Sequence, residues 1–256
     1  MENQPGTAAS AEFDKLWSTY WLELQQAGPL TFTRYRLLLA LLPADLPPAP
    51  RILDVGCGPG TFLLALSQRL PDAQVQGVEV SASACNAAPE RIRGHLLTGD
   101  LLDVAHQFGA LRFDLLVCSE VLEHVPDPER FLRQIVGLAA PGARLLFTVP
   151  AGMRHWSLQD DMAGHRRRFE PLEFDRLLRE AGLVVETQYT WGGPVSWFYN
   201  HAINLIGPRQ AAGAVHSRAG RLAARLLCAA LRIDDLFLGK DRFQLISRAR
   251  KPAAAA

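Results

Sequence analysis

The architecture of this chain is read best from the stretch Ile52-Leu53-Asp54-Val55-Gly56-Cys57-Gly58-Pro59-Gly60-Thr61-Phe62. An apolar run passes into alternate glycines and then into residues that suit the first turn of a helix. This order predicts a buried strand, a loop and a helix at one edge of a parallel sheet. A ligand can lie against the bare backbone of such a loop because glycine has no side chain. The alternative is a tight turn that binds nothing.

The spacing of the glycines separates two classes of ligand. Gly56, Gly58 and Gly60 follow the pattern G-x-G-x-G, whereas the dinucleotide fingerprint G-x-G-x-x-G requires a glycine where Thr61 stands. Asp54, at the end of the predicted strand, can accept hydrogen bonds from an ammonium group but repels a pyrophosphate. The loop therefore argues against NAD and favours a ligand that is cationic at this end.

Two further acidic residues come at the ends of predicted strands. Glu79 lies in the run Val75–Val80, about twenty residues past the loop, where an acidic residue commonly binds ribose hydroxyls. Asp100 follows the short apolar run Leu96–Gly99. Any one of these acids could be a solvated loop residue. Because the carboxyl ends of parallel strands meet at one edge, we expect both to converge with Asp54 in one negative crevice.

Together these segments resemble the class I S-adenosylmethionine-dependent methyltransferases, over roughly residues 51–190. The resemblance is carried by LDVGCGPG, GVEVS, GDLLDV, FDLLVCSEVLEHVPDP, PGARLLFTVP and GHRRRF with the helix after it. The likeness is to the broad set that includes the ubiquinone and menaquinone biosynthesis enzymes and many small-molecule methyltransferases. It implies methyl transfer from S-adenosylmethionine to a small-molecule or lipid-like acceptor by in-line displacement. A non-catalytic module that binds S-adenosylmethionine and regulates a partner is the alternative.

The resemblance also implies a role for each residue of the crevice. Asp54 and the glycine backbone would hold the methionine part, Glu79 the ribose hydroxyls, and Asp100 with Leu101 the adenine edge. The expected cofactor-binding residues are Asp54, Gly56, Cys57, Gly58, Gly60, Glu79, Val80, Asp100, Leu101 and Ser119. A cofactor with a sulfonium, an ammonium and no phosphate suits acids at strand ends.

Strand and helix signals alternate along the chain as in a doubly wound α/β fold. With the resemblance, they predict a Rossmann-like, seven-stranded, mostly parallel sheet whose last strand is antiparallel. N-terminal helices precede the sheet, and a helical insertion comes before the last strand. The predicted boundaries are 1–50 for a polar tail and helical lead, 51–250 for the methyltransferase domain with its insertion at about 192–238, and 251–256 for a tail.

The helical lead has apolar residues at near-helical spacing, with a break at Gly28-Pro29. They are Phe13, Leu16, Trp17, Tyr20, Leu24, Tyr35, Leu38, Leu39 and Leu42. The spacing predicts two helices. In the family that the chain resembles, such a lead often covers the active site; simple packing on the sheet is the alternative.

Three residues are candidates for the catalytic groups: His165, His124 and Glu120. Glu120 and His124 follow the fourth predicted strand, and Asp127 with Pro128 predicts the start of the next helix. His165 lies in a polar segment after the fifth strand. Histidine is the natural base near neutral pH when an acceptor must lose a proton. His124 could instead bond only to backbone in a short turn.

A run of arginines, 166–168, follows His165 directly. These cations could pair with Asp160, Asp161 and Glu170 and simply hold the loop, as charge runs often do. We favour a mixed role for the segment, in which His165 faces the substrate.

The insertion contains an amphipathic segment with a basic stripe. Arg218, Arg221 and Arg225 form this stripe, and Leu222, Leu226 and Leu227 lie beside it. Such a helix can lie on a membrane, which would give residues 195–233 a peripheral membrane contact and suit a lipid or quinone-like acceptor. We favour the alternative, in which the apolar stripe packs on the core and the arginines are solvated.

Composition limits the remaining possibilities. The 256 residues, with 48% hydrophobic and a net charge of +1, suit one domain with additions and give no bulk attraction to nucleic acid. Cys57, Cys85, Cys118 and Cys228 lack metal-ligand spacing, so we expect no metal and no disulfide framework. We see no export signal or membrane-spanning run and expect a cytoplasmic protein.

Overall fold

The computed structural model describes residues 8–17, 22–23, 28–207, 217–239 and 242–253. Its strands are β1 (Arg51–Val55), β2 (Gln74–Glu79), β3 (Leu96–Thr98), β4 (Phe113–Ser119), β5 (Ala139–Pro150), β6 (Val184–Trp191) and β7 (Gln244–Arg250). Within the described ranges they form one seven-stranded sheet in the order β3-β2-β1-β4-β5-β7-β6.

The first five strands of the sheet are parallel. β1 pairs with both β2 and β4, β3 pairs with β2, and β5 pairs with β4. β7 runs antiparallel to β5 and to β6. The predicted fold class, including the antiparallel last strand, is therefore confirmed. The strand order reverses between β1 and β4, and ligands of open α/β sheets bind at the carboxyl ends of strands at such a point.

Helices cover both faces of the sheet. They are α1 (Ala8–Trp17), α2 (Pro29–Ala40), α3 (Thr61–Arg69), α4 (Ala82–Asn86), α5 (Glu90–Arg93), α6 (Leu101–Val104), α7 (Pro128–Leu138), α8 (Leu158–Ala163), α9 (Pro171–Glu180), α10 (Pro194–Ile206) and α11 (Arg218–Ala230). Short 3-10 helices lie at Ala105–Phe108, Met153–His155 and Leu231–Phe237. Asp127 begins α7 as predicted, because its side chain accepts a hydrogen bond from the backbone N–H of Arg130 at 2.9 Å.

The core consists of two apolar layers, one on each face of the sheet. Successive side chains of a strand point to opposite faces. In β4, Leu116 and Cys118 join the layer that α7 and α9 cover, whereas Leu115 and Val117 join the layer that α2 and α3 cover. Packing on both faces holds the carboxyl ends of the parallel strands in fixed positions around the crevice.

The helical lead forms the two predicted helices, and the second begins at Pro29 as expected. Tyr20 and Leu24, which were predicted to belong to the first helix, lie outside the described residues. α2 packs its Leu38 fully into the core. α1 lies over the edge of the sheet near α4, so the lead both packs on the sheet and covers the crevice.

The insertion before β7 contains α10, α11 and the 3-10 helix Leu231–Phe237. On α11, Leu227 packs inward against a cluster that includes Leu37 and Trp191. The expectation that the whole apolar stripe packs on the core is wrong, because Leu222 and Leu226 are 58% and 63% exposed. These leucines lie on the outward side of the helix together with the arginines. No helix in the described part of the chain combines the length and apolar character needed to cross a bilayer.

Candidate functional site

The glycine loop after β1 adopts the conformation that only glycine takes readily. Gly58 and Gly60 have φ of 53° and 70°. A Cβ on Gly58 would lie 2.8 Å from a ring carbon of Trp17, and one on Gly60 would lie 2.6 Å from the Ile92 side chain. Gly58 therefore keeps the backbone open beneath Trp17, whereas Gly60 is required for packing under α5.

A cavity of about 750 Å³ opens at the carboxyl ends of the parallel strands. One end is lined by Glu79, Asp100 and Leu101, which were predicted to hold the ribose and adenine, and by two further predicted cofactor-binding residues, Gly56 and Val80. A smaller adjoining space of about 70 Å³ is lined by residues predicted for the methionine end: Asp54, Gly56, Cys57, Gly58 and Ser119. The structure thus brings the predicted residues together with one exception, since Gly60 lines neither space.

Glu79 is fixed by the loop that it faces. Its two carboxylate oxygens accept hydrogen bonds from the backbone N–H groups of Gly58 and Ser81, each at 2.9 Å. Burial raises the pKa of Glu79, and these backbone hydrogen bonds act in the opposite direction. Glu79 therefore both shapes the glycine loop and presents an acidic group to the cavity.

Asp54 lies at the methionine end with only 3% of its surface exposed. Burial, followed by the charge of Glu79, raises the pKa of Asp54 to about 8. A cationic group placed beside this carboxyl would favour its ionised form. The site is therefore built for a positively charged ligand group.

The lead contributes two groups that sequence reasoning missed. Arg34 of α2 lines both cavities, its Nη1 lies 3.6 Å from Oε2 of Glu120, and its Nε is buried with no hydrogen-bond partner in the described chain. The available signal was its position one turn before Leu38, on the buried face of the helix. Arg34 places a cation where a ligand carboxylate could be held.

The second is Asp14 of α1, the helix that covers the crevice as one of the two alternatives for the lead predicted. Phe13 and Trp17 line the main cavity from this helix. Asp14 fixes it, because Oδ1 accepts hydrogen bonds from Ser81 Oγ at 2.6 Å and from the Ser83 backbone N–H at 3.0 Å. Helix α1 is thus part of the cavity wall.

Glu120 has a backbone conformation that is unusual for its residue type, with φ of 57°. A non-glycine residue in this region costs on the order of 1 kcal/mol. Its Oε1 accepts hydrogen bonds from Thr148 Oγ1 at 2.9 Å and from Gln244 Nε2 at 2.8 Å. These partners hold Glu120 at the junction of the two cavities and suit it to positioning a ligand more than to moving a proton.

His165 is oriented by a buried acid. Its Nδ1 lies 2.8 Å from Oδ1 of Asp160. The two carboxylate oxygens of Asp160 also accept one hydrogen bond each from Arg168, at 2.8 and 2.9 Å. Burial raises the pKa of Asp160, but the hydrogen bonds of His165 and Arg168 outweigh it and lower this pKa to about 2. Because an ionised carboxylate only accepts, Nδ1 donates to Asp160, and Nε2 is left to contact other groups.

The three arginines after His165 make contacts that hold the loop, and the substrate-facing part of the expected mixed role stays a prediction. Arg168 pairs with Asp160, as the structural alternative proposed. Arg166 and Arg167 instead donate to the backbone carbonyls of His124 and Pro126, at 3.0 and 3.1 Å. The run thereby ties the His165 segment to the turn after β4.

His124 stands beside His165, with the ring centroids 4.8 Å apart. Burial, followed by the charge of His165, lowers the pKa of His124 to about 3. A group with so low a pKa is a weak base near neutral pH. His124 is therefore the weaker of the two histidine candidates.

Glu123 was not singled out from the sequence; it lines neither cavity but is buried behind His165, which does. Its side chain is fully buried, and Oε1 lies 3.9 Å from Nε2 of His165. Burial and the charge of Glu120 raise the pKa of Glu123 well above its usual range. A buried carboxyl with so strongly shifted a pKa, directly behind a cavity-lining histidine, is a candidate functional group.

The sequence of the chain is similar to those of known proteins. Residues 29–188, more than half of the chain, match the methyltransferase domain family. The chain is 36% identical over 101 residues to the ubiquinone biosynthesis O-methyltransferase of Coxiella burnetii, which is 38% of this chain and 42% of that protein. It is 30% identical to the ajmaline N-methyltransferase of Rauvolfia serpentina over 180 residues. These aligned residues cover 67% of this chain and 56% of that protein.

The fold likeness extends over the whole chain. The crystal structure of the cyclase SpnF superposes with a TM-score of 0.66 at 20% identity and covers 99% of this chain and 100% of that one. The fold and the cavity define a protein of the class I methyltransferase type, whose cofactor is S-adenosylmethionine. The chain belongs to the methyltransferase domain family. It spans about half the length of the curated relatives that it matches.

Proposed function

We propose that the chain transfers a methyl group from S-adenosylmethionine to a small, lipid-like acceptor. The observation that carries this proposal is the cavity of about 750 Å³, which runs without interruption from Glu79 and Asp100 to His124 and His165. Ligand pockets commonly have volumes of about 300–1,000 Å³, so this space suits a cofactor with a small acceptor beside it.

The residues of the crevice fit the cofactor by charge and shape. Asp54 offers a carboxyl to the ammonium group, Arg34 a guanidinium to the carboxylate, and Glu79 an acid to the ribose. Gly58 lets the ligand approach the backbone. When bound, S-adenosylmethionine supplies a sulfonium methyl group, which an acceptor atom displaces in line. The protein's part is to align the two ligands and exclude water.

His165 is the residue that we propose to take a proton from the acceptor. Its Nε2 faces the turn after β4, and Asp160 at 2.8 Å would stabilise the imidazolium that forms. General base catalysis contributes about 10²–10⁴-fold in rate. In this proposal Glu120 positions the acceptor, and His124 packs against His165 and shapes the wall.

A lipid-like acceptor is supported by the position of α10. Trp197 lines the cavity and is also 56% exposed, so the mouth of the cavity borders the protein surface. Other exposed apolar side chains of the insertion are Phe198, Leu205, Ile206, Leu222, Leu226, Ile233 and Leu236. An apolar acceptor could pass from this surface into the cavity.

The same surface supports peripheral contact with an anionic membrane. The segment 218–233 contains four arginines and no acidic residue. Arg218 and Arg225 are exposed beside Leu222 and Leu226, which gives both the basic and the apolar part of an interfacial helix. Apolar burial and attraction to anionic lipid would then act together.

Flotation with liposomes tests the membrane contact. Vesicles that contain anionic lipid should carry the protein upward, and vesicles of neutral lipid should carry much less. The double variant Leu222→Ser with Leu226→Ser should lose most of the binding. Leu172→Ser is the matched control, because Leu172 is 82% exposed but lies on α9, outside the insertion. Equal flotation of the double variant and the wild type contradicts the assignment of this surface.

The catalytic proposal is tested by release of S-adenosylhomocysteine. The protein is incubated with isotopically labelled S-adenosylmethionine and fractions of a lipid and metabolite extract, and labelled product is identified by mass spectrometry. Binding of the cofactor with no product in any fraction favours the regulatory module. Failure to bind either S-adenosylmethionine or S-adenosylhomocysteine rejects both functions.

A further inference from the structure

One carboxylate buried directly behind the wall of the cavity lacks the hydrogen-bond partners that burial normally demands. Glu123 has no exposed surface, and neither of its side-chain oxygens has a hydrogen-bond partner in the described part of the chain. Buried carboxylates are usually paired with a cation or bound to a metal, because desolvation strongly disfavours an isolated charge. Glu123 therefore has no hydrogen-bond partner there, and His165 Nε2 at 3.9 Å is beyond hydrogen-bond distance.

Two imidazoles share this situation. Nδ1 of His124 is buried with no hydrogen-bond partner among the described residues. Nε2 of His165 lies 3.9 Å from Oε1 of Glu123 and is not needed by Asp160, which binds Nδ1. One donor atom from each of the three side chains lies within 4.8 Å of the others.

We propose that Glu123, His124 and His165 bind a divalent transition-metal cation at the acceptor end of the cavity. Two imidazoles and one carboxylate suit zinc, iron, manganese, cobalt or nickel better than magnesium or calcium, which prefer oxygen ligands. Three protein ligands also leave a coordination position for a substrate atom, as in catalytic zinc sites.

The spacing of the donor atoms allows this site. Ligands at bond lengths of about 2.0–2.1 Å in a tetrahedral site are about 3.3 Å apart. The separation of 3.9 Å between Glu123 Oε1 and His165 Nε2 is therefore slightly wider than a bound cation requires. The three donor atoms lie within 4.8 Å of one another, so a bound cation would draw them together by up to about 1.5 Å.

The surrounding residues match the outer shell of a metal site. A histidine ligand commonly donates its second ring N–H to a carboxylate, which fixes the ring and makes it a better donor. Asp160 does this for His165 and is itself held by Arg168. The backbone N–H of Arg166 donates to the carbonyl of Glu123 at 2.9 Å and fixes the turn that carries two of the ligands.

If the chain is the methyltransferase proposed above, a cation here also limits the acceptor to molecules that offer it an oxygen atom. A cation at this wall would take an oxygen of the acceptor, such as a phenol, an enol or a carboxylate, and lower the pKa of a bound hydroxyl. Nε2 of His165 would then bind the cation and would not take the proton, which the acidified hydroxyl would lose to solvent water. The expectation of no metal, drawn from the cysteine spacing, is replaced by this proposal.

Metal binding is measured on the full chain after treatment with a chelator. Mn²⁺, Co²⁺ and Zn²⁺ are titrated separately by calorimetry, and Co²⁺ also by absorption. We expect one saturable site. Glu123→Gln and His165→Gln should each weaken binding by at least about tenfold, and Asp160→Asn by about 10–100-fold. His106→Gln is the matched control and should bind as the wild type does, because His106 is exposed and distant from the cavity.

Circular dichroism and S-adenosylhomocysteine affinity establish that each variant is folded. If a variant fails to fold, the wild type still gives an answer by NMR: Co²⁺ should broaden the imidazole signals of His124 and His165 and leave that of His106 unchanged. Absence of saturable binding, equal binding by Glu123→Gln, or broadening that spares both cavity histidines overturns the proposal. Because cofactor affinity is measured separately, loss of the metal site and loss of the proposed methyl transfer are distinguishable.

Discussion

The raised pKa of Asp54 makes cofactor binding depend on pH in a defined direction. In the cofactor-free chain this pKa is about 8, because the carboxyl is buried and lies near Glu79. In the proposed arrangement the cofactor's ammonium group lies beside Asp54 and pairs with its ionised carboxylate. Binding below this pKa therefore releases a proton, and affinity should rise as the pH rises.

The magnitude follows from the size of the shift. One pKa unit corresponds to about 1.36 kcal/mol, so ionising Asp54 at about pH 6 costs roughly 2.7 kcal/mol, or about 100-fold in affinity. We expect a rise of about 10–100-fold between about pH 6 and pH 8. The increase should level off near pH 8, since an α-amino group has a pKa of about 7.7–8.0 and the ligand then loses its own charge.

Calorimetric titration with S-adenosylhomocysteine, in buffers that differ in ionisation enthalpy, gives both the affinity and the number of protons released. Asp54→Asn should bind more weakly and show a much flatter pH dependence, because an amide does not titrate in this range. Asp72→Asn is the matched control, since Asp72 is exposed and distant from the crevice. Equal affinity at the two pH values, or an unchanged slope in Asp54→Asn, would refute this account of the site.

Three further outcomes test other parts of the structure. Without cofactor, Asp54→Asn should stabilise the protein near neutral pH by about 1–3 kcal/mol in urea denaturation. The pKa of Asp54 in the folded chain is raised to about 8, so its carboxyl makes the protein less stable as the pH rises from about 4 to 8, and an amide does not. Gly58→Ala should weaken S-adenosylhomocysteine binding at least about tenfold, since its φ is 53° and the added carbon would lie 2.8 Å from Trp17; Gly94→Ala, with nothing within 4 Å, should bind normally in the same titration. His165→Gln should lower turnover by about 10²–10⁴-fold with cofactor affinity nearly unchanged, and unaltered turnover in a product-release assay would exclude His165 from the chemistry.

The parts of the fold that could be predicted are those that depend on local periodicity. Apolar runs gave the strands, and the rule that parallel strands share a carboxyl edge placed Asp54, Glu79 and Asp100 in one crevice. Gly60 shows the limit of a motif, because a glycine can be required by a neighbour such as Ile92 and not by a ligand.

The remainder depends on tertiary contacts that spacing does not encode. Arg34 and Trp17 reach the site from helices that precede the first strand, so no motif places them there. Glu123 lies in a turn whose direction depends on the positive φ of Glu120. On α11, Leu222 and Leu227 belong to one apolar group in the sequence, and only the packing against α2 decides that Leu227 alone turns inward.

The packing of α1 over the glycine loop bears on how fast the product can be released. Trp17 lies over the glycine loop, and the hydrogen bonds from Ser81 and Ser83 to Asp14 keep the helix there. These bonds therefore hold α1 over the place that we propose for the methionine end of the product. We therefore expect release of S-adenosylhomocysteine to limit the rate of successive turnovers. Removing the hydrogen bonds of Asp14 should shorten the residence time of this product.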